Sequence, residues 1–101
     1  MSFIIKWQPT AENTFHEEID FIFLKWNYNE VQKFEKLVNE NLKRLSLNPE
    51  IGIYSNEYEI YSLVISKQTT LYYSFDSIFK IIELNVFWNN SKNPADLIKL
   101  L

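Results

Sequence analysis

Cysteine is absent from this 101-residue chain. That excludes a disulfide framework, a thiol nucleophile and a thiolate metal site. The single glycine, Gly52, cannot build a glycine-rich phosphate loop. Three prolines are too few for a loop-rich or low-complexity chain. Arg44 is the only arginine, and Lys plus Arg total 10 against 13 carboxylates, for a net charge of −3. With a pI near 5.1, the chain lacks the basic balance that nucleic-acid binders usually carry. His16 is the only histidine. With no second His or Cys to complete a ligand set, no metal site is expected, and His16 itself reads as a solvated helix residue. The longest apolar stretch, near Ile19–Trp26, is broken by Asp20 and Lys25 and falls far short of a membrane span. Met1 leads into a short apolar run broken by Lys6, without a cleavage-site pattern. The expectation is one soluble, cytoplasmic domain over residues 1–101, without cofactor, metal or membrane anchor.

Apolar and aromatic residues are plentiful, at 47% and 17%, enough to build one core and to argue against disorder. Phe3-Ile4-Ile5-Lys6-Trp7 predicts a first strand. Pro9 then suits the first turn of a helix. Ala11, Phe15, Ile19, Ile22 and Trp26 recur at helical spacing and form one amphipathic stripe. Phe21 and Leu24 lie off that stripe and point to a second neighbour. Asn27-Tyr28-Asn29 is a break, after which Asn29 and Gln32 resemble a capping box. Val31, Phe34, Val38, Leu42 and Leu45 form the second stripe, with Glu40 and Arg44 as an i,i+4 pair. Asn48-Pro49 ends that helix.

After Gly52 the period changes from 3.6 to 2. Strands are predicted over Glu57–Ser66, Thr69–Phe75 and Ile78–Phe87, joined by turns so short that neighbours must be antiparallel. Ile51–Tyr54 leaves room for a short extra strand. Asn89–Asn93 reads as a polar loop, and Pro94 opens a last short helix. The expected fold class is α+β, in the order β-α-α-β-β-β. A helix hairpin packs on one face of a mainly antiparallel four-stranded sheet. Phe15, Ile19, Ile22, Trp26, Phe34, Val38 and Leu42 form its core, and the other sheet face stays open.

Three motifs resemble the RelE/ParE toxins. Trp7-Gln8-Pro9-Thr10-Ala11 is similar to that family's opening W-S-P-x-A. Lys67-Gln68-Thr69-Thr70-Leu71-Tyr72-Tyr73 resembles its hairpin into the central strand. Phe87-Trp88-Asn89-Asn90-Ser91-Lys92-Asn93-Pro94 resembles the C-terminal F-W-D-N-R-Q-D-P of one branch. The resemblance spans almost the whole chain. It implies the toxin of a bacterial type II toxin–antitoxin system, in the plasmid-stabilization class. Such a toxin is neutralised by a co-encoded antitoxin and forms a homodimer or a heterotetramer with it. RelE-like members cleave mRNA in the ribosomal A site and ParE-like members inhibit DNA gyrase, so the fold alone does not choose between them.

The departures weigh against cleavage. The resemblance implies arginines in the central strand and in the C-terminal signature, and Thr70 and Ser91 stand there instead. A hydroxyl supplies neither a fixed cation nor a bidentate phosphate fork. Lys67, Tyr72 and Lys92 remain as catalytic candidates; in a turn or a polar loop, lysines are more often simply solvated. For a partner surface the candidates are Phe21, Leu24, Tyr61, Tyr72 and Trp88, with Tyr61 and Tyr72 read as standing on the open sheet face. Cross-strand aromatics also stabilise sheets without any partner. The side-chain amides of Asn89 and Asn90, after Trp88, offer groups for a partner backbone or a nucleotide edge, although local loop-closing hydrogen bonds are the commoner role; Glu59 and Glu83 are not read as an acid–base pair. The expected mode is binding, with gyrase as target. A ribosome-dependent endoribonuclease, or a degenerate toxin that keeps only antitoxin binding, are the alternatives.

Overall fold

The break at Gln8-Pro9 and the break at Trp26-Asn27 divide the first half of the chain into one strand and two helices. The computed structural model describes residues 2–101. β1 spans Ile4–Trp7 and α1 Pro9–Lys25, with Pro9 in its first turn. α2 spans Tyr28–Leu47. Its N-cap is Asn27, not Asn29: the Asn27 side chain accepts from the Glu30 N–H at 3.0 Å, satisfying an amide the helix cannot bond itself. A single 3₁₀ turn, Pro49–Ile51, follows. The strands β2 (Ile53–Ser55), β3 (Ile60–Ser66), β4 (Thr69–Asp76) and β5 (Ile81–Asn89) come next, and α3 (Pro94–Ile98) closes the chain.

The sheet corrects the four-stranded expectation. It has five strands in the order β1-β5-β4-β3-β2. β2 to β5 form an antiparallel meander, but β1 pairs parallel with β5, Ile5 against Ile82 and Trp7 against Leu84. The sheet is therefore mixed. The third and fifth strands begin later than their apolar pattern suggested, at Ile60 and Ile81, because turns occupy the residues before them. Glu59 and Lys80 take φ of 53° and 57° there, a left-handed backbone that ends strand pairing. The Asp76 carboxylate accepts from the Ile78 and Phe79 amides at 2.8 and 3.1 Å, which builds the second turn.

Both helices cover one face. Ala11 and Ile22 of α1, and Val31, Phe34, Val38 and Leu45 of α2, pack on Ile65, Leu71, Tyr73, Ile82, Leu84 and Phe87. Trp7, Phe15, Phe34 and Phe87 form a run of aromatic contacts with ring centroids 5.3 to 5.8 Å apart. Each such pair adds about 0.5–1.5 kcal/mol beyond area burial. Phe15, Ile19 and Leu42 flank the core half-buried. Trp26 does not belong to it: the residue is the C-cap of α1 and 46% exposed. The helix ends one residue too early to carry the stripe inward.

Two polar residues take core positions on α1 instead. The Thr14 hydroxyl donates to the Thr10 carbonyl at 2.7 Å and accepts from the Phe87 amide at 2.9 Å. It thereby satisfies a β5 amide beyond the end of β1 pairing. Buried Glu18 accepts a 2.5 Å hydrogen bond from the hydroxyl of buried Thr69. On α2, Arg44 donates to Asn41 at 3.0 Å and forms no ion pair with Glu40 among the described residues.

The lone glycine lies at a close approach between elements. Tyr73 Oη donates to the Pro49 carbonyl at 2.6 Å and accepts from the Gly52 amide at 3.0 Å. A Cβ on Gly52 would fall 2.6 Å from that oxygen and 2.7 Å from the Ser62 carbonyl. Side-chain absence, not an unusual φ, is what the position requires.

Candidate functional site

Strand alternation puts Thr70, Tyr72, Val86 and Trp88 on the sheet face opposite the helices, with Ser62 beside Tyr72 and Val64 beside Thr70. The polar loop after β5 and α3 fold back over this face. Thr70 Oγ1 donates to Asn90 Oδ1 at 2.9 Å, and the Asn90 amide donates to the Gln68 carbonyl at 2.7 Å. Asn89 Oδ1 accepts from the Ser91 amide and hydroxyl at 2.9 and 2.6 Å. The two amides therefore close the loop and tie it to the β3–β4 turn.

Beneath α3 a cavity of about 340 Å³ is lined by Ser55, Tyr58, Ile60, Ser62 and Tyr72 from the sheet side and by Leu97, Ile98 and Leu101 from the tail. Burial raises the Tyr72 phenol above the ordinary tyrosine value. At neutral pH it is a hydrogen-bond donor and not a general base.

The three catalytic candidates are not joined into one site, although the Asn90 side chain donates to the Lys67 carbonyl at 3.4 Å and so ties its turn to the loop that carries Lys92. Tyr72 lines the cavity under α3. Lys67 is exposed in the β3–β4 turn and lines a different cavity, at the tip of the helix hairpin. Lys92 is held by Glu17 at 3.6 Å and lies 5.7 Å from the Trp88 ring centre. Both members of that ion pair are half-exposed, so it contributes about 1 kcal/mol at most. No hydrogen bond or ion pair joins any two of the three among the described residues.

The partner candidates also separate. Tyr61 is on the helix side, stacked on Tyr73 with ring centres 5.4 Å apart and touching Tyr54 and Phe75. Its expected position on the open face is corrected: Tyr61 opposes Tyr73, and Ser62 opposes Tyr72. Trp88 is only 6% exposed, under the C-terminal loop. Phe21 is half-buried against Trp26, and Leu24 is 82% exposed. Glu83 accepts from the Gln8 side chain at 3.0 Å, whereas Glu59 lies in the turn before β3. His16 is exposed and edges onto Phe15. No group of three or more potential metal ligands occurs among the described residues, and no helix there is long and apolar enough to cross a membrane.

Solved structures share this arrangement. The RelBE2 toxin–antitoxin complex of Mycobacterium tuberculosis contains a chain that superposes with a TM-score of 0.64. The two are 15% identical, and the match covers 88% of this chain and 99% of that one. The chromosomal ParDE toxin–antitoxin system of P. aeruginosa contains another, with a TM-score of 0.70 at 14% identity, covering 87% and 96%. The chain has the RelE/ParE toxin fold. No family model and no curated protein sequence matches it, so the likeness is one of architecture.

Within that RelE/ParE-like fold, the two positions that lack arginine have structural occupations of their own. Thr70 is 8% exposed and bonded to Asn90; Ser91 is bonded to Asn89. Sequence reading missed the cavity at the hairpin tip, lined by Ile22, Trp26, Glu30, Lys33, Phe34, Leu37, Ser66, Lys67 and Gln68. Its residues come from α1 and its C-cap, α2, the end of β3 and the β3–β4 turn. No sequence feature signalled it, because Trp26 falls on the apolar stripe and leaves the core only where α1 stops at Lys25.

Proposed function

We propose that this protein is the toxin of a type II toxin–antitoxin pair, neutralised by a co-encoded antitoxin, and that it acts by binding its target and not by cleaving RNA. DNA gyrase is the target class we favour. The observation that carries the second part is that Lys67 and Tyr72 line different cavities while Lys92 is held in an ion pair. Cleaving RNA through a ribose 2′-hydroxyl needs groups that stabilise phosphorane charge at one point. Thr70 and Ser91 offer hydroxyls already engaged, Lys92 is paired with Glu17, and Lys67 lies at another cavity. The toxin–antitoxin part is supported by the shared fold with chains from RelBE2 and ParDE complexes and by the three motifs.

The test is a pair of assays on the purified full chain, gyrase-catalysed supercoiling and mRNA cleavage on programmed ribosomes, with co-expression of the neighbouring gene as the neutralisation control. Inhibited supercoiling without A-site cleavage is the expected result. Codon-specific cleavage that is abolished by Lys67→Ala or Lys92→Ala would restore the enzyme. Antitoxin binding with neither activity would identify a toxin that has kept only its fold and its partner.

A further inference from the structure

The sheet face under α3 carries hydroxyls that the protein itself leaves unused. On β4 the hydroxyls of Thr69, Thr70 and Tyr73 are each bonded within the chain. Tyr72 and its cross-strand neighbour Ser62 form no side-chain hydrogen bond among the described residues, and neither hydroxyl oxygen is enclosed by protein. Both residues line the cavity of about 340 Å³ between the sheet and the C-terminal tail. Its other walls are largely apolar, with Ile60 on the sheet side and Leu97, Ile98 and Leu101 on the tail. A dry cavity of about 150 Å³ holds one benzene ring, so this space suits a molecule of roughly ten to fourteen non-hydrogen atoms.

The lining selects the charge of the occupant. No charged side chain lines the cavity among the described residues, and its polar side chains all end in hydroxyls, those of Ser55, Tyr58, Ser62 and Tyr72. The charges at α3, Asp96 and Lys99, are paired with each other at 3.7 Å. An ion placed here would lose hydration without gaining a countercharge, which excludes nucleotides and phosphates. Burial already holds the Tyr72 phenol in its neutral, donating form. A peptide segment is disfavoured for a different reason. Its buried amides need partners, and the backbone of β3 is already paired on both edges, with β2 and β4. A small molecule with one polar group makes no such demand.

We propose that the cavity under α3 binds an uncharged amphiphile, an apolar body of medium-chain size with a single oxygen function that accepts a hydrogen bond from the Tyr72 hydroxyl. Medium-chain alcohols, esters and amides belong to this class. The proposal goes beyond the toxin reading and does not depend on which target the protein has.

The experiment uses ¹⁵N-labelled full-length protein and 1-nonanol as probe, read at the amides of Ser62, Tyr72, Leu97 and Ile98. Saturable shifts centred on these groups are expected, with a dissociation constant on the order of 0.1 mM, the scale for a ligand of this size. Nonanoate and nonylammonium, with the same chain and a charged end, should bind at least about tenfold more weakly. Tyr72→Phe removes a hydroxyl that has no protein partner, so it keeps the fold; it should weaken 1-nonanol roughly fivefold, the worth of one hydrogen bond. Ser62→Leu fills the cavity from the sheet and Leu97→Trp fills it from the tail, and each should abolish binding. The proposal is overturned if 1-nonanol shifts nothing at these amides or shifts the whole surface alike. It is equally overturned if nonanoate or nonylammonium binds as tightly, if Tyr72→Phe leaves the affinity unchanged, or if either filled cavity still binds. Tighter binding of the capped peptide Ala-Leu-Phe-Leu-Ala than of 1-nonanol would assign the cavity to a protein segment and refute the proposal as well. None of these readings uses gyrase, ribosomes or an antitoxin, so the toxin reading can fail while this one stands.

Discussion

Replacing Gly52 with alanine tests the packing argument most sharply. The added Cβ would meet Tyr73 Oη at 2.6 Å and the Ser62 carbonyl at 2.7 Å. The backbone of β3 cannot yield without breaking its pairing with β2. Tyr73 cannot yield without losing its bonds to Pro49 and Gly52. Overpacking of this kind costs about 2–3 kcal/mol. Tyr73→Phe removes the oxygen and leaves a buried carbonyl without its donor, which costs about 1–3 kcal/mol. The two changes are not independent. In the Tyr73→Phe background the nearest clash is gone while the Ser62 contact remains, so the added cost of Gly52→Ala should fall by about 1 kcal/mol, a coupling within the range of touching residues. Urea denaturation of the four proteins closes the cycle. With a slope of about 1.5 kcal/mol per M, Gly52→Ala should lower the midpoint by more than about 1 M. A shift under about 0.3 M, or equal costs in both backgrounds, would show that the loop relaxes freely and that glycine is not required.

Ile22→Ala and Val38→Ala, both at positions about 1% exposed, should each cost about 2–4 kcal/mol through lost burial and a residual cavity; unchanged denaturation midpoints would contradict the assigned helix faces. Stability should be insensitive to Tyr73 ionisation below the ordinary tyrosine value and fall above it. Burial raises the Tyr73 phenol, so the unfolded chain releases its proton first and alkaline pH favours unfolding. Denaturation midpoints between about pH 8 and 11 should show this slope, smaller in Tyr73→Phe; the same slope in both would place its origin elsewhere. Glu18→Ala leaves the buried Thr69 hydroxyl without its acceptor and should cost about 1–3 kcal/mol, whereas Glu17→Ala, losing only an exposed pair with Lys92, should cost under about 1 kcal/mol. Equal midpoints for these two variants would be the contrary result.

Local chemistry determined the elements. Pro9, Asn48-Pro49 and Pro94 mark helix boundaries by what proline and its predecessor can adopt, and the switch from helical to alternating apolar spacing marks where the meander begins. Those signals act over a few residues, so both long helices, the hairpin between them and the three long strands were legible. The three motifs made the RelE/ParE-like architecture legible too. Pairing between distant segments was not. β1 and β5 are 77 positions apart at Ile5 and Ile82, and nothing in either sequence sets their direction; the helices packed between them in the chain do. The bulge where Leu84 opposes Tyr73 and Val86 opposes Tyr72 reverses which residues of β5 face the helices, a change that period-two alternation cannot reveal. Tyr61 went to the helix side through its register with Tyr73. Trp26 left the core because α1 stops at Lys25 to make the hairpin. Its exposed ring then became a wall of the cavity that ends at Ser66, a site that exists only because two helix ends and a strand turn meet there in three dimensions.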